Sequence, residues 1–375
     1  MISMTHDINN SDRIFGLDFM RTTAILMVLC SHILGLYPDS DTFISKVFLL
    51  FGLWGVEIFF VLSGFLIGRI LYKQFVLNTF SFHSFYVFIN RRWFRTLPNY
   101  FLILIINLIL AYFIGFNSTN FGLYFVFLQN FSYPMKPFFP ESWSLSVEEF
   151  TYFFIPIILL LSIYFPKVNH KSRQFIGIIV ALILLFFINK IIYNYTTLNT
   201  TLKSWHLDLK AVVIYRVDSI LFGIAAAWIS FNYSNFWKNK KNPAAAFGFI
   251  LLLICYLTIW IFEITIEKSP FFWNVLLLPL TSISFAMMLA FFSEWKTTRW
   301  KFAKPITFIS LISYSIYLVH YSIVLKLITY FKCFNSTNYM VLHLRTFFFL
   351  VITFGLSYLL YIFFEKPIMN LKAKN

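Results

Sequence analysis

Apolar runs of about 20 residues recur along the whole chain, and they decide most of what it can fold into. A helix rises about 1.5 Å per residue, so about 20 apolar residues cross a hydrocarbon core about 30 Å thick. Ten such runs can be marked, at 16–36, 47–72, 96–116, 144–165, 174–193, 211–231, 244–263, 272–293, 306–330 and 342–364. The sequence therefore reads as an all-α polytopic membrane protein, one bundle of about ten transmembrane helices over 1–375. Fifty-one phenylalanines and a hydrophobic fraction of 59% lie far outside the range of a soluble domain.

The formal charge of +15 raises the question of nucleic acid. The basic residues are not pooled into one tail or stripe, however; they sit in short clusters between apolar runs, as orientation signals do. With the N-terminus inside, nineteen of the thirty lysines and arginines fall on inner segments and nine on outer ones. That bias predicts cytoplasmic termini and no nucleic-acid partner. Two regions fit no simple span. The stretch FGLYFVFLQNF (121–131) is apolar but too short to cross, and is expected to be re-entrant or interfacial, packed against protein. The aromatic stretch 74–95, ending in RRWFR, is expected to lie on the inner surface and lead into the third span. Cys30, Cys255 and Cys333 offer neither metal spacing nor a disulfide framework. No cleavable signal peptide is evident, and no C-terminal soluble domain is expected after the tenth run.

Ionisable residues inside such runs cost about 2.5–3.5 kcal/mol each. Here they include Asp18, Arg21, His32, Glu57, Arg216, Asp218 and His320, with Glu148 near a boundary. So many predict a shared polar cavity. Arg21 and His32 are eleven residues apart, which places them on one helix face about 16 Å apart along the axis. Arg21 can pair with Asp18, three residues earlier, or snorkel to the inner interface. His32 has no acidic neighbour on its helix. It is either a hydrogen-bonded packing residue or a neutral imidazole available as a general base. Cys30 points nearly opposite to His32, so the two form no nucleophilic pair. Glu57 is the single acid of its run, and Arg21 is its nearest candidate partner in helix order. Gly52, Gly55, Gly64 and Gly68 thin that helix for a close neighbour.

In SWSLSVEEF, Ser146 and Glu149 have capping-box spacing, with Leu145 and Phe150 as its hydrophobic staple. That accounts for Glu149 and leaves Glu148 as the functional candidate. Arg92 and Arg95 share a helical face; with Arg91 they are either ordinary inner-side charge or an anion site. Arg216 and Asp218 point to different sides and need partners on other helices. Tyr317 and His320 share a face and either line the cavity or hydrogen-bond in the core.

Taken in order, GLDFMRTTAILMVLCSH, GVEIFFVLSGFLI, RRWFR, SWSLSVEEFTYFFIPI, YRVDSILFG, SYSIYLVH and FEKP resemble the acyltransferase-3 family. These are integral-membrane O-acyltransferases that modify bacterial cell-surface glycans, and the resemblance covers most of the chain. It implies that His32 is the base for the acceptor hydroxyl and that Arg21 is its paired arginine. It implies that Arg92 and Arg95 hold acyl-CoA, by family habit acetyl-CoA, on the cytoplasmic side, and that Glu148 is the acid of the SLSVE signature. The acceptor would be a glycan such as lipopolysaccharide O-antigen or exopolysaccharide, the location a bacterial inner membrane, and no metal would be needed. The sequence departs from the family pattern at Glu57, where many members carry Asp, and at FGLWG, which is less glycine-rich. The rival reading is a glycan or lipid transporter using the same charged cavity without chemistry. Many transporters repeat their broken helices in two halves, and 121–131 has no counterpart here.

Overall fold

The computed structural model describes residues 13–38, 42–78, 80–115, 119–136, 138–164, 170–197, 201–331 and 338–372. Cys333, Lys167, Lys332 and Lys374 lie outside them. The described residues form helices and no strand: α1 (Phe15–Ile33), α2 (Phe43–Tyr72), α3 (Phe82–Ile114), α4 (Gly122–Phe125), α5 (Ser142–Ser162), α6 (Lys171–Thr196), α7 (Leu202–Trp205), α8 (Val217–Asn232), α9 (Ser234–Asn239), α10 (Lys241–Ile261), α11 (Leu277–Glu294), α12 (Ala303–Val319), α13 (Lys326–Tyr330), α14 (Tyr339–Leu360) and α15 (Lys366–Lys372). Wider π-helical turns at His206–Lys210, His320–Leu325 and Tyr361–Glu365 precede or join several of them.

Among the described residues, nine helical stretches are long and apolar enough to cross a membrane. The polarity pattern is that of a protein in lipid. Phe113, Leu184, Phe249 and Phe363 are exposed, whereas Glu57, Lys190 and Arg216 are fully buried. The chain is an integral membrane protein.

The sixth expected span is shorter than the sequence suggests. Only α8, 16 residues long, is regular there, because 206–215 winds into π and 3-10 turns. Those turns meet the other irregular region. The Val213 and Ile214 amides donate to the carbonyls of Asn130 and Phe131 at 2.9 and 3.2 Å. The Asn130 side-chain amide donates to the carbonyls of Trp143 and Ala211 at 3.0 and 2.6 Å. Two irregular segments thus satisfy each other's polar backbone, as burial away from water demands. The expectation that 121–131 packs against protein agrees with this; only Gly122–Phe125 within it is helical.

The expected surface helix at 74–95 is not a separate element. After a π turn at Lys73–Leu77, the chain restarts at Ser81, whose hydroxyl caps the Ser84 amide at 3.3 Å. It then runs without a break through α3, 33 residues and about 50 Å long. Pro98 removes one rung of its hydrogen-bond ladder about one turn after Arg95.

The core is built on α2, which packs against α1 and α8. The contact between α2 and α8 is backbone to backbone. A Cβ on Gly64 would strike the Ile220 carbonyl oxygen, and one on Gly223 would strike the Val61 carbonyl oxygen. Gly52 and Gly55 serve α1 in the same way, and Gly68 serves α8, so all four glycines expected to thin this helix do so.

Candidate functional site

A cavity of about 120 Å³ lies between α1, α2, α3, α5 and α12. Arg21, Arg92 and Arg95 provide its cations, and Glu148 and Glu365 its carboxylates. Arg21 donates to Ser310 Oγ at 3.1 Å and to Asp18 Oδ1 at 3.3 Å. Asp18 is more closely held by Arg13, through two bonds of 2.7 and 3.0 Å. This arrangement leaves Arg21 facing the cavity. The Arg92 guanidinium lies 4.3 Å from the centre of the Tyr152 ring, and its buried Nε has no partner in the described residues. The hydroxyl of Tyr152 donates to Glu148 Oε2 at 2.7 Å and also meets Ser63. Arg95 is exposed at the cavity edge. Arg91, about 100° around the helix from Arg92, is exposed and lines no part of the cavity.

The capping box expected at Ser146 does not form. Helix α5 starts one turn earlier, at Ser142, so Ser146 is interior and bonds to the Ser142 carbonyl at 3.3 Å. Glu149 instead accepts from Thr96 Oγ1 of α3 at 2.7 Å. Glu365, at the end of a π turn, accepts from Asn99 at 2.9 Å and Ser315 at 2.6 Å. It reaches the cavity from the last span, in the FEKP stretch to which the sequence reading gave no role.

The cavity's lining stops at Tyr317. Its hydroxyl meets Ser144 Oγ at 2.6 Å, and its ring lies 6.1 Å from that of Phe59. Beyond it, the His320 ring is 5.7 Å from that of Tyr317, and the His32 ring is 5.0 Å from that of His320. The order outward from the cavity is therefore Tyr317, His320, His32. His32 is half-buried against Tyr321, with ring centres 4.6 Å apart.

Glu57 pairs with Arg216 rather than Arg21, and also accepts from Ser282 at 2.8 Å. The reason is adjacency: α2 packs along α8, a neighbour that helix order does not reveal. Asp218 turns the other way, as two residues on a helix must, and pairs with Lys190 of α6 at 2.5 Å. Lys190 is fully buried. Its position in FFINKII marks it as a lysine within an apolar run, although the sorting of basic residues by linker counts it among the nine outer ones.

Three more groups, Lys210, His206 and Glu141, sit in irregular backbone, where helical spacing gives no signal. The Lys210 ammonium lies 5.6 Å from the centre of the Trp143 ring. Burial, with Arg216 nearby, lowers its pKa to about 8. His206 is lowered to about 3, by burial first and Lys210 second. Glu141, just ahead of α5, is also buried. Its Oε1 accepts from the Ser322 amide at 3.0 Å and the Ser322 hydroxyl at 2.5 Å. Burial raises it from 4.5 to about 7 against the pull of those bonds. The folded state therefore holds this proton more tightly than the unfolded chain does. Its contribution to stability is full below about pH 4.5 and is lost as pH rises to about 7. Glu141→Gln removes that titration. Thermal unfolding in detergent should then show a flatter dependence between pH 4.5 and 7 than the parent; an unchanged slope would assign the dependence elsewhere.

Among the described residues, no group of three His, Cys, Asp or Glu is placed to hold a metal ion.

The sequence matches the acyltransferase domain model of the acyltransferase-3 family over residues 14–362. It is 25% identical, over 343 aligned residues, to Staphylococcus aureus proteins of strains COL, MSSA476 and N315, each named "Putative O-acetyltransferase". The alignments cover 82% of this chain and 50% of each relative, so the chain spans about half their length. No solved structure matches significantly.

Proposed function

The chain belongs to the acyltransferase-3 family, and from that premise we propose that it moves an acyl group, acetyl foremost, from acyl-CoA to a hydroxyl of a cell-surface or lipid-linked glycan. Lipopolysaccharide O-antigen and exopolysaccharide are the acceptor types this reading favours. The observation that carries it is the cavity itself: three arginines at one end and, past Tyr317 at the other, two adjacent imidazoles.

Arg92 and Arg95 take the phosphates of the donor, to which guanidinium forks are matched. Glu148, through Tyr152, supports the face on which Arg92 rests. The pantetheine arm follows the cavity towards Tyr317, and the acceptor hydroxyl approaches from the outer side. His32 takes the hydroxyl proton as oxygen attacks the thioester carbonyl. The C–O bond forms, the C–S bond breaks, and the departing thiolate recovers the proton. A cation of the cavity, Arg21 foremost, offsets negative charge developing on the carbonyl oxygen. On this reading both termini lie in the cytoplasm and the protein sits in a bacterial inner membrane; the bias of lysine and arginine towards one set of linkers supports that orientation.

Purified protein given [14C]acetyl-CoA and cell envelope should label envelope glycans, and deleting the gene should lower their O-acetyl content. Failure to label under either acyl-CoA or acceptor excess counts against the proposal. Arg92→Ala and Arg95→Ala should each raise the KM for acetyl-CoA about tenfold or more, since a charge-assisted contact contributes about 1.5–3 kcal/mol. Their kcat should change much less. An effect on kcat alone would remove these arginines from the donor site.

A further inference from the structure

His320 is fully buried and opens the π turn between α12 and α13. Its Nδ1 lies 2.8 Å from the Tyr317 carbonyl oxygen and 3.2 Å from that of Ile316. A carbonyl oxygen only accepts, so Nδ1 carries the hydrogen, and in the neutral ring Nε2 is left with a lone pair. That Nε2 is buried and has no partner among the described residues. Buried polar atoms without partners are uncommon and call for an explanation.

The neighbour able to supply a partner is His32, whose ring centre is 5.0 Å away. An imidazole nitrogen lies about 1.1 Å from its ring centre, so an N–H···N bond of about 2.9 Å puts two centres about 5.1 Å apart. The His32 ring makes no hydrogen bond among the described residues and is only partly buried, so a turn of the ring can bring one of its nitrogens to His320. We infer that His320 is the positioning residue of the reaction. Its Nε2 accepts the N–H of His32, fixes the tautomer that leaves the other His32 nitrogen bare for the acceptor hydroxyl, and holds the imidazolium once that proton has arrived. This rests on the reading of His32 as the base. A carboxylate plays the corresponding part in many hydrolases; here a second neutral imidazole does so, in a setting where an added charge is costly.

The test compares His320→Asn with His320→Gln, using [14C]acetyl-CoA and wild-type cell envelope. Asn places an amide N–H near Nδ1, preserving the bond to the Tyr317 carbonyl, and leaves nothing at Nε2. Gln can place its side-chain oxygen near Nε2. Asn should lower kcat about 100-fold with the KM for acetyl-CoA within twofold, and should unfold at the parent's temperature. Gln should recover at least tenfold of that loss. Asn activity within threefold of the parent, or Gln no better than Asn, overturns the inference. A His32→Ala control separates the two readings. If it stays active, the base assignment fails and this inference falls with it. If it is dead while Asn is normal, this inference alone fails.

Discussion

His32→Ala is expected to lower acyl transfer by about 10²–10⁴-fold, the usual contribution of a positioned general base, while the protein still inserts and folds. The structure supports separating these effects. The alternative role for His32 was that of a packing residue held by a hydrogen bond, and no such bond exists among the described residues. Its ring contacts are those of His320 and Tyr321, and the residue is only partly buried. Losing one partly exposed ring costs little packing. Incorporation of label from [14C]acetyl-CoA, normalised to membrane-inserted protein, gives the answer. Activity within tenfold of the parent would mean that another group takes the hydroxyl proton.

The second large effect is on stability. Glu57→Ala leaves the Arg216 guanidinium fully buried, and two of its nitrogens, Nε and Nη1, already lack partners among the described residues. Breaking a buried pair on one side costs about 3–5 kcal/mol, because a charge remains without compensation. The loss also frees the Ser282 hydroxyl, which donates to the same carboxylate. Detergent-solubilised Glu57→Ala should therefore unfold many degrees below the parent, or fail to accumulate. Glu57→Leu combined with Arg216→Met should recover much of that loss, since replacing both partners with apolar groups avoids the stranded charge. A single variant as stable as the parent would show that Arg216 finds another counter-charge, with Asp218 the first to test.

Local spacing was the part of this molecule that the sequence carried well. The helical runs, the opposed directions of Arg216 and Asp218, the close-packing glycines of α2 and the common face of Arg92 and Arg95 all follow from 100° per residue. What spacing does not carry is which helices touch. Glu57 and Arg216 are separated by 159 positions and meet because α2 and α8 bring their glycines together. His32 and His320 meet because α1 packs along α12. Glu141, Lys210 and His206 lie in turns where no periodicity applies. The capping box at Ser146 failed for a related reason: the pattern was present, but α5 had already begun a turn earlier.

The closure at Tyr317 and Phe59 has a consequence for the cell as well as for the reaction. A protein that receives a donor from one side of a membrane and an acceptor from the other risks becoming a conduit for ions between them. The cavity's lining ends at Tyr317, whose ring meets that of Phe59 edge to face with centres 6.1 Å apart, and the imidazoles stand beyond them. Rings in contact leave no standing passage, so a thioester arm crosses only when a side chain swings aside, and a hydrated cation would in addition have to shed its water. The closure would let a chemical group cross while the electrical insulation of the bilayer holds.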